Sequence, residues 1–323
     1  MEDHEEKRTL WAASASAERK RYLIHSEGDD GSISSYPLSR NLYLFVIDIH
    51  SMTIPEFGSG AVPEGRMVKF NYCRHGRCEL ITRSGSYTYL VGGEVAVDTG
   101  QTNNQFYYPT SEYCGIELIF IMDEDLKEIP GLGAYSGVMQ NAGLKNIDVM
   151  TQPLNFSADE IIAGIADEIR VYDEKDTGSS IMLLKGLELL IWLAGQLPGK
   201  QNIQRKFYTN SQVEIARHCH DLIIEDLSTR WSAGKLARRF GVSETSVKNY
   251  FRNVYGYGFQ EFQIGTRMEL AAEKLSATDE PVGDIARSLG YSSQTKFGNA
   301  FRAYHGCLPM EYRRRYRIGP LME

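Results

Sequence analysis

Hydrophobic positions change their period twice along the chain. From about residue 42 to 123, β-branched and aromatic residues recur in short runs with alternating polarity, the signature of half-buried strands. Strands are predicted at 42–52, 67–73, 78–82, 87–90, 94–97, 105–108 and 115–122. Arg83-Ser84-Gly85-Ser86 and Gly92-Gly93 fall between runs, where hairpin turns are needed. Many short strands at this spacing predict a small antiparallel barrel or sandwich. Residues 1–40, rich in Ser, Glu and Asp and with little periodicity, read as a polar lead-in.

After Asp123 the period shifts toward 3.6. Ser157 followed by Glu160 has the spelling of a capping box and predicts a helix running to about Tyr172. A second helix over 180–197 is apolar on more than half its circumference. One face covers the barrel, and the other is either fully buried or pairs with a second helix to form a dimer. Leu197-Pro198-Gly199-Lys200 breaks the pattern and opens a linker over 199–210.

From Ser211 onward the chain is helical throughout. Ala233, Leu236, Ala237 and Phe240 lie on one face of a short helix; Gly241-Val242-Ser243 makes a tight turn and caps the next. That next helix, 244–255, buries Val247, Phe251 and Val254 and turns Thr245, Lys248, Asn249 and Arg252 outward. The grammar recurs about fifty residues later. Pro281 opens a helix with Val282, Ile285, Ala286 and Leu289 inward, and Gly290-Tyr291-Ser292 makes the turn. A helix over 293–304 follows, with Phe297, Ala300 and Phe301 inward and Gln294, Thr295, Gly298, Asn299 and Arg302 outward. Between the units, 260–277 reads as one long helix with Phe262, Ile264, Met268, Ala271, Ala272 and Leu275 apolar. A short helix, a glycine turn and a second helix with a polar outer face is a helix-turn-helix pattern, here present twice.

Charge sharpens the division. The chain carries a net charge of −7. Residues 1–200 hold 17 Lys+Arg against 29 Asp+Glu, giving −12, whereas 201–323 hold 18 against 13, giving +5. A basic excess confined to the helical part is what a phosphate-contacting domain needs. The five scattered cysteines (Cys73, Cys78, Cys114, Cys219, Cys307) read as reduced thiols in a cytoplasmic protein. No apolar stretch is long enough to span a bilayer, because Lys185 and Glu188 interrupt the nearest one, and no secretory signal is visible.

Residues 211–317 resemble the AraC/XylS family of bacterial transcription regulators, most specifically over 285–313. Gly290, Phe297, Phe301, Gly306, Pro309, Tyr312 and Arg313 fall on that family's signature. The resemblance implies a seven-helix DNA-binding domain that sets two recognition helices into successive major-groove segments. It further implies a cupin-like N-terminal domain that senses a small molecule and can dimerise, with promoter DNA and RNA polymerase as partners. Gly234, Gly298 and Asn299 depart from the usual pattern. The fold expected is therefore α+β: a cupin-like antiparallel barrel with flanking helices at 41–198, and an all-α domain of two helix-turn-helix units joined by a long helix at 211–317.

Base edges are read by side chains whose donors and acceptors match them. Asn249, Asn299 and Gln294 can pair with adenine, Lys248 with guanine, and Thr245 and Thr295 with a thymine methyl. Arg252, Arg302 and Arg313 are placed for phosphates, with Ser232 and Ser292 capping helices whose amides also face phosphate. In the N-terminal domain Phe70, Tyr72, Tyr87, Tyr89, Phe106 and Tyr108 are the candidates for an effector pocket. Cys73, His75 and Cys78 invite a metal reading, but Gly76 turns the chain between them, and buried thiols with a turn histidine are the alternative. No catalytic constellation and no cofactor motif is found. The expected function is an effector-responsive, sequence-specific regulator rather than an enzyme; the alternative is a metal-dependent cupin enzyme fused to a DNA-binding domain.

Overall fold

The computed structural model describes residues 19–26, 29–39, 42–53, 66–82, 84–98, 107–122, 154–196, 203 and 206–317. The expectations for 105–106, including Phe106, and for the breaker at 197–202 lie outside the described residues. The chain divides into two compact units, Met1–Tyr208 and Thr209–Glu323.

The first unit is built on an antiparallel sheet. Its strands are β1 (Lys20–Ser26), β2 (Asp29–Ser39), β3 (Leu42–His50), β4 (Arg66–Ile81), β5 (Tyr87–Val91), β6 (Glu94–Asp98), β7 (Tyr113–Met122) and β8 (Leu154–Ser157). They run in the order β1-β2-β3-β7-β4-β6-β8, with β5 paired to the far half of β4. Two features depart from the sequence reading. The polar lead-in contributes the β1–β2 hairpin, whose inward residues are few (Ile24, Ile33, Tyr36) and whose Ser34 and Ser35 are buried too, so no hydrophobic alternation shows. The runs at 67–73 and 78–82 are one strand: a register shift between Cys73 and His75, with Gly76 at φ 85°, bends β4 without ending it.

Alternate residues of each strand face opposite sides, and both sides are covered. One core takes Leu44, Val46, Val68, Phe70, Tyr72, Ile116 and Leu118 against two helices, α1 (Glu160–Glu174) and α2 (Ser179–Gln196). Helix α1 supplies Ile162, Ile165 and Ile169 to it. Asp159, not Ser157, caps α1 by accepting from the Ile162 amide at 2.9 Å, and Ser157 ends β8. Gly186 lets α2 lie flat on β2, since a Cβ there would sit 2.2 Å from Leu38 Cδ1. The other core joins Ile33, Phe45, Ile47, Cys73, Cys78, Leu80, Leu90, Tyr108, Tyr113 and Ile119. Each fully buried aliphatic or aromatic side chain in these layers is worth about 1.5–3 kcal/mol relative to exposure.

The second unit is helical: α3 (Asn210–Glu225), α4 (Ala233–Phe240), α5 (Glu244–Tyr255), α6 (Phe259–Ala277), α7 (Val282–Ser288), α8 (Gln294–His305) and α9 (Pro309–Tyr316). These are seven helices among the described residues, the number the family resemblance implies. Thr209 and Gln212 close a reciprocal cap on α3. The connector α6 buries Phe259, Met268, Ala271, Ala272 and Leu275 as a stripe, but Ile264 is exposed, and Gln263 and Arg267 are buried in its place. No helix among the described residues is long and apolar enough to cross a membrane.

Candidate nucleic-acid interface

Two helix pairs in the second unit are assembled from the same local parts. Ser232 caps α4, accepting from the Lys235 amide at 3.2 Å, and Gly241 at φ 66° ends it in the left-handed region that costs glycine little. Ser243 caps α5 through the Ser246 amide at 3.0 Å, and Gly256 at φ 85° ends it. In the second pair the turn runs through Gly290 at φ 77°. Ser293 rather than Ser292 caps α8, through the Lys296 amide at 3.3 Å, and Gly306 at φ 75° closes it. Ser292 lies just outside and accepts from Lys296 Nζ at 3.3 Å. Pro281 is at the cap position of α7, one residue before the first turn.

The inward faces fix which way the outward faces point. Val247, Phe251, Val254 and Tyr255 of α5 are buried, and Phe251, Tyr255, Tyr257 and Phe262 pack ring on ring with centroids 4.6–6.4 Å apart. His220 of α3 packs against both Tyr255 at 5.0 Å and Phe262 at 4.8 Å, and burial lowers its pKa. In the second pair Phe297 and Phe301 are fully buried with Ile285, Leu289, Met268 and Leu275. Thr245, Lys248, Asn249 and Arg252 are consequently exposed together on α5, as are Gln294, Thr295, Asn299 and Arg302 on α8. Ser232 is exposed at the start of α4, where a helix N-terminus offers backbone amides to an anion.

The two pairs are braced against each other. A Cβ on Gly290 would lie 2.1 Å from the Ser228 carbonyl oxygen, so the turn of the second pair sits directly on the loop that precedes the first. That loop is held by Asp226, whose carboxylate accepts from the Ser228 amide and hydroxyl and the Thr229 amide. Those bonds hold its pKa at about 2. Arg267, from α6, donates to the Leu227 carbonyl at 2.7 Å and the Thr229 carbonyl at 2.9 Å. Arg313, expected at a phosphate, instead donates to the Leu275 carbonyl at 3.3 Å and the Glu280 carbonyl at 2.6 Å. Its guanidinium ties α9 to the end of α6 and the start of α7.

Residues 236–315 match a family model described as a helix-turn-helix domain. The C-terminal unit carries a helix-turn-helix domain. Among curated relatives, the DNA-binding dual transcriptional regulator Rns of Escherichia coli is 24% identical over 153 residues, 47% of this chain and 55% of that protein. The chain thus matches about half the length of that relative. The HTH-type transcriptional activator FapR of Escherichia coli is 22% identical over 243 residues, 70% of this chain and 92% of that protein. The solved C-terminal domain of AraT, a response regulator from Geobacillus stearothermophilus, is 29% identical; the match covers 34% of this chain and 91% of that one, with a TM-score of 0.32.

Within the helix-turn-helix domain, the glycine departures have different consequences. A Cβ on Gly234 would meet Glu244 Oε1 at 2.8 Å, a flexible carboxylate end, whereas Gly298 faces open space. Gly298 occupies on α8 the place Lys248 holds on α5, so α8 offers one long side chain fewer. Lys296, which the sequence reading passed over, is exposed on α8 next to Thr295 and restores a cation there. Its signal was available in the outward period of 295, 296, 299 and 302. Gln263 and Arg267 were hidden because polar residues on a predicted apolar stripe read as solvent-facing.

The aromatic residues proposed for an effector pocket do not converge. Phe70 and Tyr72 point into the core shared with α1 and α2. Tyr108 lies in the opposite core, stacked on Tyr113 at 4.7 Å. Tyr89 donates to Glu79 Oε2 at 3.0 Å and lies beneath the Arg77 guanidinium, 4.8 Å from its ring centroid; Tyr87 bonds through its backbone to Tyr208. A different group is collected on the second face: Lys69 and Glu117 form a buried ion pair at 3.3 Å, and the Tyr113 hydroxyl donates to Asn71 Oδ1 at 2.5 Å. Ser35 lies in the same row of registers, two strands from Glu117, with its hydroxyl buried and unbonded among the described residues.

The metal reading finds no geometry. Cys73 and Cys78 are buried with their sulfurs directed at backbone carbonyls, while His75 is exposed and bonded to Glu112 at 2.9 Å. None of the five cysteines forms a disulfide.

Proposed function

We propose that the protein is a sequence-specific DNA-binding regulator of transcription, not an enzyme, acting on promoter DNA in the cytoplasm. One observation carries this reading: equivalent exposed rows, Thr245, Lys248, Asn249 and Arg252 on α5 and Thr295, Asn299 and Arg302 on α8, stand on two capped helices braced within one unit. Each pair is a helix-turn-helix unit whose second helix enters the major groove. Asn249, Asn299 and Gln294 read adenine, Lys248 reads guanine and the two threonines meet thymine methyls; Arg252 and Arg302, with the amides at Ser232 and Ser292, hold phosphates. Transcriptional control by Rns and FapR, as their names state it, supports the same role here, with RNA polymerase as the partner on the promoter.

The N-terminal unit is read as a cupin-like sensor of a small molecule. Its support is the row of polar groups inside the second core, because an apolar interior gains no stability from sheltering an ion pair. Lys69, Asn71, Glu117 and Tyr113 therefore replace Phe70 and Tyr72 as the residues assigned to the effector. A homodimer through α2 fits the exposed Ile181 and Leu184 on its outer face. The test is selection of random duplexes by the full chain. Recovery of a preferred site, bound more tightly than bulk DNA by the 10³-fold or more typical of specific binders, is expected; recovery of no site overturns the reading.

A further inference from the structure

The two helix pairs share a part that lies outside both exposed rows. Gln263 stands seven positions after the glycine that ends α5 (256 to 263), and Arg313 seven after the glycine that ends α8 (306 to 313). Each follows a matched helix start, where a glutamate bonds back to the first amide: Glu261 to Gly258 at 3.4 Å and Glu311 to Leu308 at 3.3 Å. Each then reaches the same backbone atom in its own repeat, the carbonyl just ahead of the residue that caps the first helix of the pair. Gln263 Nε2 donates to the Trp231 carbonyl at 3.1 Å, while its Oε1 accepts from the Trp231 amide at 3.2 Å; Ser232 follows as the cap of α4. Arg313 Nη2 donates to the Glu280 carbonyl at 2.6 Å, and Pro281 follows as the cap of α7.

These bonds refer both helix pairs to one rod. Gln263 belongs to α6 and fixes the start of α4 to it. One turn further along α6, Arg267 fixes the loop at Leu227 and Thr229 and donates to Gln263 Oε1 at 3.4 Å. At the other end Arg313 holds the Leu275 carbonyl of α6 and the start of α7 together. Gln263 and Arg267 are both more than nine-tenths buried on a helix face otherwise made of Phe, Met, Ala and Leu. Polar groups in such a place are retained only with their hydrogen bonds satisfied, which makes their geometry exacting.

We propose that Gln263 and Arg313 are paired positioning residues that set the angle and separation of α5 and α8, and through them the base-pair spacing this protein demands between the two halves of its DNA site. The proposal rests on the DNA-binding reading above. Neither side chain touches DNA. Each acts through the helix start it holds, and a change of one base pair between half-sites rotates the second by roughly 35° and moves it about 3.4 Å.

The test uses the full chain and a series of duplexes carrying the two selected half-sites at spacings altered by one base pair at a time. The native protein is expected to bind one spacing at least tenfold better than its neighbours. Gln263→Leu and Arg313→Lys are expected to reduce that ratio to about threefold or less, or to move the optimum, while base preference inside each half-site is retained. Arg313→Lys keeps charge and reach but cannot bond two carbonyls from separate nitrogens, so it reads the brace without removing the side chain. A uniform loss of affinity at every spacing, an unchanged profile in both variants, or a native protein indifferent to spacing overturns the proposal while leaving DNA binding intact. A native protein that selects no duplex overturns the DNA-binding reading itself, and the proposal with it.

Discussion

Gly290 shows how a single position joins two levels of structure. It ends one helix at φ 77°, and it has no Cβ where a Cβ would overlap the Ser228 carbonyl oxygen. Gly290→Ala combines left-handed strain of about 1–2 kcal/mol with displacement of that backbone. We expect a loss of about 2–4 kcal/mol in the denaturant-unfolding free energy of the C-terminal unit. His220 gives a second prediction. Desolvation against Tyr255 and Phe262 lowers its pKa, so the unfolded chain binds the proton more readily than the folded one. The stability it contributes is therefore complete above the unfolded value near 6.5 and is lost as pH falls through that value toward the folded one. The melting temperature of the second unit should drop between pH 7 and 5, and His220→Gln should flatten that dependence. At this scale the sequence announced Gly290, because a glycine between two amphipathic periods has few other uses. It gave no hint of His220, whose role exists only where three helices meet.

Among elements, helices were more legible than strands. The periods around 236–255 and 285–301 placed α4, α5, α7 and α8 within a residue or two, since an amphipathic stripe, a serine cap and a left-handed glycine are all local. The first hairpin was not legible, because β1 and β2 bury serines and few aliphatics. The long bent strand β4 read as two, because Gly76 resembles a turn and only pairing with β7 across the bulge shows continuity. The ion pair on β4 and β7 was invisible for the same reason, as residues 69 and 117 are neighbours only through the sheet. Breaking it from one side should be costly: Lys69→Met alone leaves Glu117 buried without its partner, and we expect about 3–5 kcal/mol lost. The double variant Lys69→Met, Glu117→Leu should recover most of that, by urea unfolding. An N-terminal unit stabilised by the double change but no longer responsive to its effector would fit a pair retained for binding.

For the whole molecule, the charge division between −12 and +5 is the plainest sign of what each part meets. Binding driven by phosphate contacts falls with salt, with a slope of about −0.9 per phosphate neutralised on duplex DNA. Arg252→Ala and Arg302→Ala should each reduce the slope of log affinity against log salt by about one, almost equally for all sequences. The central claim is that α5 and α8 each read their own segment of one duplex. Its most direct measurement is random-duplex selection repeated with Lys248→Ala, Asn249→Ala on α5 and, separately, Thr295→Ala, Asn299→Ala on α8. Two blocks of base preference about one helical turn apart are predicted for the native chain, with each double variant erasing one block and sparing the other. Preferences that survive both variants unchanged, or that vanish together in each, would contradict it.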